Sequence, residues 1–163
     1  MAKATKSFTE IKQCKKVVTL NSKTKKPNGW LLEIMSDRDG FTRHLAGQAY
    51  LTVASPGEFK GFHLHAVADY FITCLKGTIK HTTYRSIKEK EVTRMGEKDI
   101  KTVFVPKGHP HGLENIGKGE AQVLIYRYPS WTPDFKEQFD IPKSEITNPE
   151  YWKKARSFIK KFS

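Results

Sequence analysis

The chain is cut into short extended runs by proline, glycine and small polar residues, and this punctuation limits the folds open to it. "KKVVTL" and "WLLEIM" flank the polar turn "NSKTKKPNG". "QAYLTVAS" alternates apolar and polar residues and stops at Pro56-Gly57. "DYFITCLKG" ends at Gly77 and "TIKHTTYRS" follows at once, the pattern of a hairpin. "KTVFVPKG" breaks at Pro106, and "EAQVLIYRYPS" breaks at Pro129. Short runs at regular spacing, with few helical patterns, predict an all-β sandwich or barrel. The tail differs. In "NPEYWKKARSFIKKF", Asn148 is a candidate N-cap, Pro149 suits the first helical position and Glu150 falls in the first turn. Tyr151, Ala155, Phe158 and Ile159 share one helical face, so a short C-terminal helix is expected over about 148–162. No repeat, low-complexity stretch or linker divides the chain. It reads as a single domain over 1–163 with its core over about 30–135.

With 163 residues the chain can bury a real core. No apolar run reaches the length of a membrane span, and "MAKATKSFTEIK" lacks the apolar stretch of a secretory signal. Cys14 and Cys74 match no metal or redox spacing, and nothing argues for a disulfide. The expected location is cytoplasmic. Lys and Arg number 29 against 17 Asp and Glu, a formal charge of +12. That excess would suit nucleic acid. However, the basic groups "KQCKK", "SKTKK" and "WKKARSFIKK" are dispersed and do not interleave with aromatic residues as a base-stacking platform would. A positive field of this kind also suits a diphosphate. The expected partners are a small anionic substrate, with neither nucleic acid nor membrane.

Two histidine motifs carry the chemistry. "GFHLHAVADY" places His63 and His65 two residues apart, so both side chains point to one face if the segment is a strand. Asp69 follows, then Gly77. "PKGHPHGLEN" supplies Pro106, Gly108, His111 and Asn115 in the pattern P-x-G-x-x-H-x-x-x-N. His109 and His81 are weaker candidates, and His44 is assigned no role. In this order the motifs resemble the two signatures of the cupin superfamily. The resemblance implies a double-stranded β-helix, or jelly-roll barrel, with His63, His65 and His111 meeting inside it. Counting back from Gly77, the carboxylate that cupins place after the paired histidines falls on Tyr70, and Asp69 stands one residue off.

Two chemistries remain open for such a cluster. His63, His65, Asp69 and His111 are the ligand set for one divalent transition metal, as in a dioxygenase or a sensor. Alternatively, neutral histidine acts as a base beside a carbonyl with no cofactor, because its ordinary pKa lies near neutrality.

The stretch from Gln48 to His63, "QAYLTVASPGEFKGFH", resembles the dTDP-4-dehydrorhamnose 3,5-epimerases, a metal-free branch of the cupins. That family has a glutamine fifteen residues before its catalytic histidine, where Gln48 stands, and a glycine six before it, where Gly57 stands. Lys60-Gly61-Phe62-His63 replaces its R-G-L-H, and His111-Gly112 matches its P-x-G-x-x-H-G. "AQVLIYRYPSWTPDF" runs parallel to its strand and closing Y-x-P-E. The resemblance spans 37–135. Three departures stand out. Asp39 replaces an arginine in "DRDGF". Ser130 and Trp131 stand where the family keeps its acid tyrosine. No residue aligns with the aspartate that pairs with the family's histidine. His65 instead resembles the R-G-x-H-A-H of the dTDP-4-keto-6-deoxyhexose 3,4-ketoisomerases, which use both histidines to move protons.

The resemblance implies a metal-independent epimerase or ketoisomerase acting on a 4-keto-6-deoxy sugar linked to a nucleoside diphosphate. His63 is the expected base and His65 a second proton carrier, with Tyr128 the candidate acid. Gln48, Lys60, His111 and Tyr126 would line the substrate site. Such cupins pair through N-terminal strands, so "KKVVTL" is expected to join a homodimer. A binding-only relative that has lost its acid is the remaining alternative.

Overall fold

The computed structural model describes residues 16–38 and 46–163. Cys14, Asp39 and His44 lie outside the described residues. The elements in chain order are β1 (Lys16–Leu20), β2 (Pro27–Ser36), β3 (Gln48–Ala54), β4 (Phe59–His65), β5 (Asp69–Lys76) and β6 (Thr78–Ser86). They continue as β7 (Glu89–Gly96), β8 (Thr102–Val105), β9 (His111–Asn115), β10 (Ala121–Tyr128), β11 (Gln138–Asp140) and the helix α1 (Pro149–Ile159).

The strands form two antiparallel sheets, ordered β1-β2-β3-β10-β5-β8 and β11-β4-β9-β6-β7. From β3 onward the chain crosses between the sheets at every step except the β6–β7 hairpin, which gives a jelly roll rather than a meander. Gly77 shows how. It was expected to join a β5–β6 hairpin, but β5 pairs with β10 and β8, while β6 pairs with β7 and β9. Its φ of +78° turns the chain from one sheet into the other, a conformation that disfavours side chains with a Cβ. The hairpin partner of β6 is β7, whose mostly polar, exposed residues carry little strand signal.

The core grades from apolar to polar along the strands. On β10 the inward positions are Ala121, Val123, Ile125 and then Arg127. On β5 they are Cys74, Ile72 and then Tyr70. Ile79, Met95 and Leu113 complete the apolar end. Each such side chain contributes about 1.5–3 kcal/mol on burial, so this end closes tightly and the other is free to hold a cavity.

Helix α1 covers the outer face of the second sheet. The Asn148 side chain accepts from the Glu150 N–H at 3.0 Å, as the capping pattern predicts. Trp152 and Ala155 are its buried residues, packed with Phe62, Leu64 and Tyr84, and Tyr151, Phe158 and Ile159 flank them. The Trp152 indole N–H donates to the Ile146 carbonyl at 2.6 Å.

The asparagine of the second motif has a structural task. Asn115 donates to the carbonyls of Ala54 and Gly119 and accepts from the Gly117 N–H, so it ties three chain segments at the buried end. The Gly108 N–H donates to the His65 carbonyl at 2.7 Å, which joins the two histidine motifs directly.

Candidate active site

The polar end of the barrel opens into a cavity of two adjoining lobes, about 360 and 450 Å³. Thr19, Leu31, Tyr50, Tyr70 and Gln138 belong to both. His63, His65, His111 and Lys60 line the smaller lobe; Gln48, Arg127 and Trp131 line the larger.

Strand β4 delivers both histidines, as their spacing predicts. Its register against β9 slips between Gly61 and His63. This bulge lets Lys60 and His63, three residues apart, face the same lobe. Only glycine fits there: a Cβ on Gly61 would fall 2.6 Å from the Gly112 Cα, at a φ of +129°.

The third short strand of this wall, β11, places Asp140 opposite His63 and Gln138 opposite His65. His63 Nδ1 lies 2.7 Å from Asp140 Oδ1, and the Gln138 amide donates to the same oxygen at 2.7 Å. A proton on Nδ1 satisfies the carboxylate and leaves Nε2 as the basic nitrogen. Partial burial would raise the Asp140 carboxyl, but the hydrogen bond and charge of His63, with Gln138, hold it below the usual range.

A second pair lies deeper. His65 Nδ1 is 2.9 Å from Glu137 Oε1, and the Arg127 guanidinium donates to that oxygen at 2.7 Å. All three residues are at most 3% exposed. Burial pushes Glu137 up, but the hydrogen bonds and charges of His65 and Arg127 prevail and bring it down to about 2. Burial lowers His65 despite the bond to Glu137, so the imidazole is neutral with Nδ1–H held by the carboxylate.

His111 completes the group. Its ring centroid is 5.6 Å from His65, 5.2 Å from Tyr70 and 5.8 Å from His81. Burial and the neighbouring histidines hold it well below the ordinary value. His81 is buried in the barrel interior, and its Nε2 has no hydrogen-bond partner among the described residues. Lys60 donates to the hydroxyls of Thr19 at 2.7 Å and Thr52 at 3.1 Å, and burial lowers it to about 8. Gln48 donates to Glu33 and accepts from the Trp131 N–H at 3.2 Å.

Three expected residues stand elsewhere. Tyr126 and Tyr128 occupy the outward positions of β10, because strand side chains alternate and Arg127 takes the inward place between them. The Tyr126 hydroxyl donates to the Ala46 carbonyl at 2.7 Å, and Tyr128 is 52% exposed. Asp69 faces away from Tyr70 and accepts from the Lys107 N–H at 2.8 Å, so it does not join the histidines as a fourth metal ligand. Among the described residues no group of three or more His, Cys, Asp or Glu is arranged to hold a metal. The residues that sequence reasoning missed are Asp140, Glu137, Arg127, Tyr50 and Tyr70. With Val123 and Ile125 inward in the structure, Arg127 follows in the same row and takes a buried carboxylate as its partner.

Two facing antiparallel sheets wound as a jelly roll, with histidines from β4 and β9 inside, define a cupin-type double-stranded β-helix. No family model matches the chain. It is similar to the spore coat polysaccharide biosynthesis protein SpsL of Bacillus subtilis (strain 168), 27% identical over 130 residues that cover 76% of this chain and 85% of that protein. Among solved structures it is similar to the capsular polysaccharide assembling protein CapF from Staphylococcus aureus. The TM-score is 0.62 at 17% identity over 77% of this chain, which spans only 34% of the CapF chain. Oxalate decarboxylase from Bacillus subtilis has a TM-score of 0.57 at 18% identity, covering 79% of this chain and 32% of that one. These likenesses establish the fold.

Proposed function

We propose that this protein is a sugar-nucleotide epimerase or ketoisomerase of polysaccharide biosynthesis, acting by proton transfer without a metal. The observation that carries the reading is the His63–Asp140 pair on the wall of the cavity, which leaves a basic Nε2 beside the space for substrate. The likeness to SpsL, a spore coat polysaccharide biosynthesis protein, and to CapF, a capsular polysaccharide assembling protein, favours a sugar substrate.

The reaction begins when His63 Nε2 takes a proton from the carbon next to the ketone. The C–H electron pair becomes the enolate double bond, and the carbonyl pair moves to oxygen. A proton returned to the opposite face of the same carbon gives the epimer. A proton delivered to the former carbonyl carbon, with loss of the neighbouring hydroxyl proton, moves the ketone. Asp140 holds His63 in the useful tautomer and supports the imidazolium. Lys60 and Gln48 take the nucleoside diphosphate. A second copy of the chain would pair at the edge strand β1, where Val17, Val18 and Leu20 are exposed.

The test is solvent deuterium exchange into a dTDP-4-keto-6-deoxyglucose-type substrate, with elemental analysis of the same sample. His63→Asn is expected to fold, to bind thymidine diphosphate and to lose exchange by about 10²–10⁴-fold. Wild-type protein is expected to hold far less than one transition metal per chain. Near one metal per chain, lost in His63→Ala, would overturn the metal-independent reading; exchange at the wild-type rate in His63→Asn would remove His63 as the base.

A further inference from the structure

We infer that Tyr70, on β5, is the acid that returns the second proton, in place of any tyrosine of β10. The inference rests on the proposed function and adds a residue to it. Inversion at carbon needs a donor distinct from the group that took the proton, and the resemblance offers only Ser130 and Trp131 at its acid position. Trp131 has an indole N–H, which is no proton donor of this kind.

Tyr70 meets each need of such an acid. Its strand neighbour across β10 is Arg127, so it occupies the last inward position before the cavity. It borders both lobes of the cavity, yet is only 5% exposed. Its ring lies 4.3 Å from that of His65 and 5.2 Å from that of His111, so it shares their reacting space. The Arg127 guanidinium stands 5.2 Å over the ring and is itself fixed by Glu137 and by the Pro129 carbonyl. Once Tyr70 gives up its proton, that cation stabilises the phenolate.

The hydroxyl also keeps its proton until then. Its oxygen is 3.5 Å from His65 Nδ1, but that nitrogen's own proton is committed to Glu137, so His65 does not draw the phenol proton away. Burial holds Tyr70 well above the ordinary phenol range, despite Arg127, so it is protonated at neutral pH. Tyr50 is the competing donor. It borders both lobes as well, and lacks the ring contacts to His65 and His111 that Tyr70 makes.

The protons balance over a cycle. His63 gains one from the substrate carbon, and Tyr70 loses one to the enolate, its O–H electron pair staying on the phenolate. His63, which solvent reaches, exchanges its proton with water while the enolate is bound and releases it once product leaves, and Tyr70 recovers one from water. The product therefore carries a solvent proton rather than the one removed.

Tyr70→Phe separates the two steps. In D₂O the variant is expected to wash deuterium into recovered substrate through His63 while its conversion to product falls about 10²-fold or more. Tyr50→Phe takes away a hydroxyl beside that of Tyr70 and is expected to separate exchange from conversion by far less than Tyr70→Phe does. Conversion at the wild-type rate in Tyr70→Phe, equal loss of exchange and conversion there, or a separation in Tyr50→Phe as large as in Tyr70→Phe would each overturn the assignment while leaving the proposed function standing. Wild-type protein that exchanges no keto-sugar nucleotide would overturn both. Should Tyr70→Phe fail to fold, 3-fluorotyrosine at position 70 keeps the shape and makes the phenol more acidic. It is expected to change conversion and not exchange, and unchanged conversion would count against Tyr70.

Discussion

Lowering the pH from 7 to 5 should weaken the fold through its buried imidazoles, and His81 allows the effect to be sized. Burial alone takes this residue from the ordinary 6.5 down to about 4. A depressed folded pKa means that the unfolded chain binds the proton first. The stability involved is therefore complete above about 6.5 and lost as the pH falls toward about 4. At pH 5 almost every unfolded chain carries the proton and few folded ones do, which costs about 2 kcal/mol relative to pH 7. His65 and His111 are depressed mainly by the same burial and add in the same direction. The carboxylates do not confuse this window. Glu137 and Asp140 are also depressed, so their contributions are lost only below the ordinary carboxylate range. His81→Leu, close in volume and relieved of an unpartnered Nε2, removes one proton from the balance. Urea unfolding followed by tryptophan fluorescence should show the pH 5 penalty reduced by about 2 kcal/mol in the variant, a midpoint difference on the order of 1 M. Equal losses between pH 7 and pH 5 in wild type and His81→Leu would refute the reasoning.

Lys60, lowered to about 8 by burial, is charged below that value and neutral above it. Thymidine diphosphate affinity, measured by calorimetry at pH 7 and 9.5, should fall about tenfold or more at the higher pH, and Lys60→Met should flatten the difference. Tyr128→Phe should leave deuterium exchange within about twofold of wild type, because its hydroxyl stands on the outer face; a loss of tenfold or more would return Tyr128 to the reaction.

The parts of the fold written in local pattern were legible, and those written in distant pairing were not. The spacing of His63 and His65 fixes a common face once the segment is a strand, and the structure has both on the cavity wall. The capping residues of α1 act within two positions of each other, and the helix begins where they predict. In "VLIYRY" the apolar residues fall on both faces, since Leu124 half-buries outside while Val123 and Ile125 bury inside. Such a run does not declare its inward side, so nothing in it marks Tyr126 and Tyr128 as outward. Strand β11 has three residues, too few for a period, so Asp140 gave no sign that it would stand 77 positions from its partner. The turn at Gly77 looked like a hairpin because a glycine marks a change of direction without saying which sheet receives the chain.

The buried ion pair argues that this end of the barrel is kept for chemistry. Arg127 follows Ala121, Val123 and Ile125 in the inward row of β10, where a fourth apolar residue would extend the core. Burying a guanidinium and a carboxylate costs several kcal/mol per ion, and their attraction repays this at best. Stability alone would not place them there. What the pair provides is an environment that differs from its neighbour two residues away. The His63–Asp140 pair is reached by solvent and has the Gln138 amide beside its carboxylate. The His65–Glu137 pair is dry and balanced by a cation. The two imidazoles sit in different surroundings, and a site that takes a proton on His63 and returns one from Tyr70 needs groups held so differently. Arg127 serves it twice, holding Glu137 on His65 and standing over the Tyr70 ring.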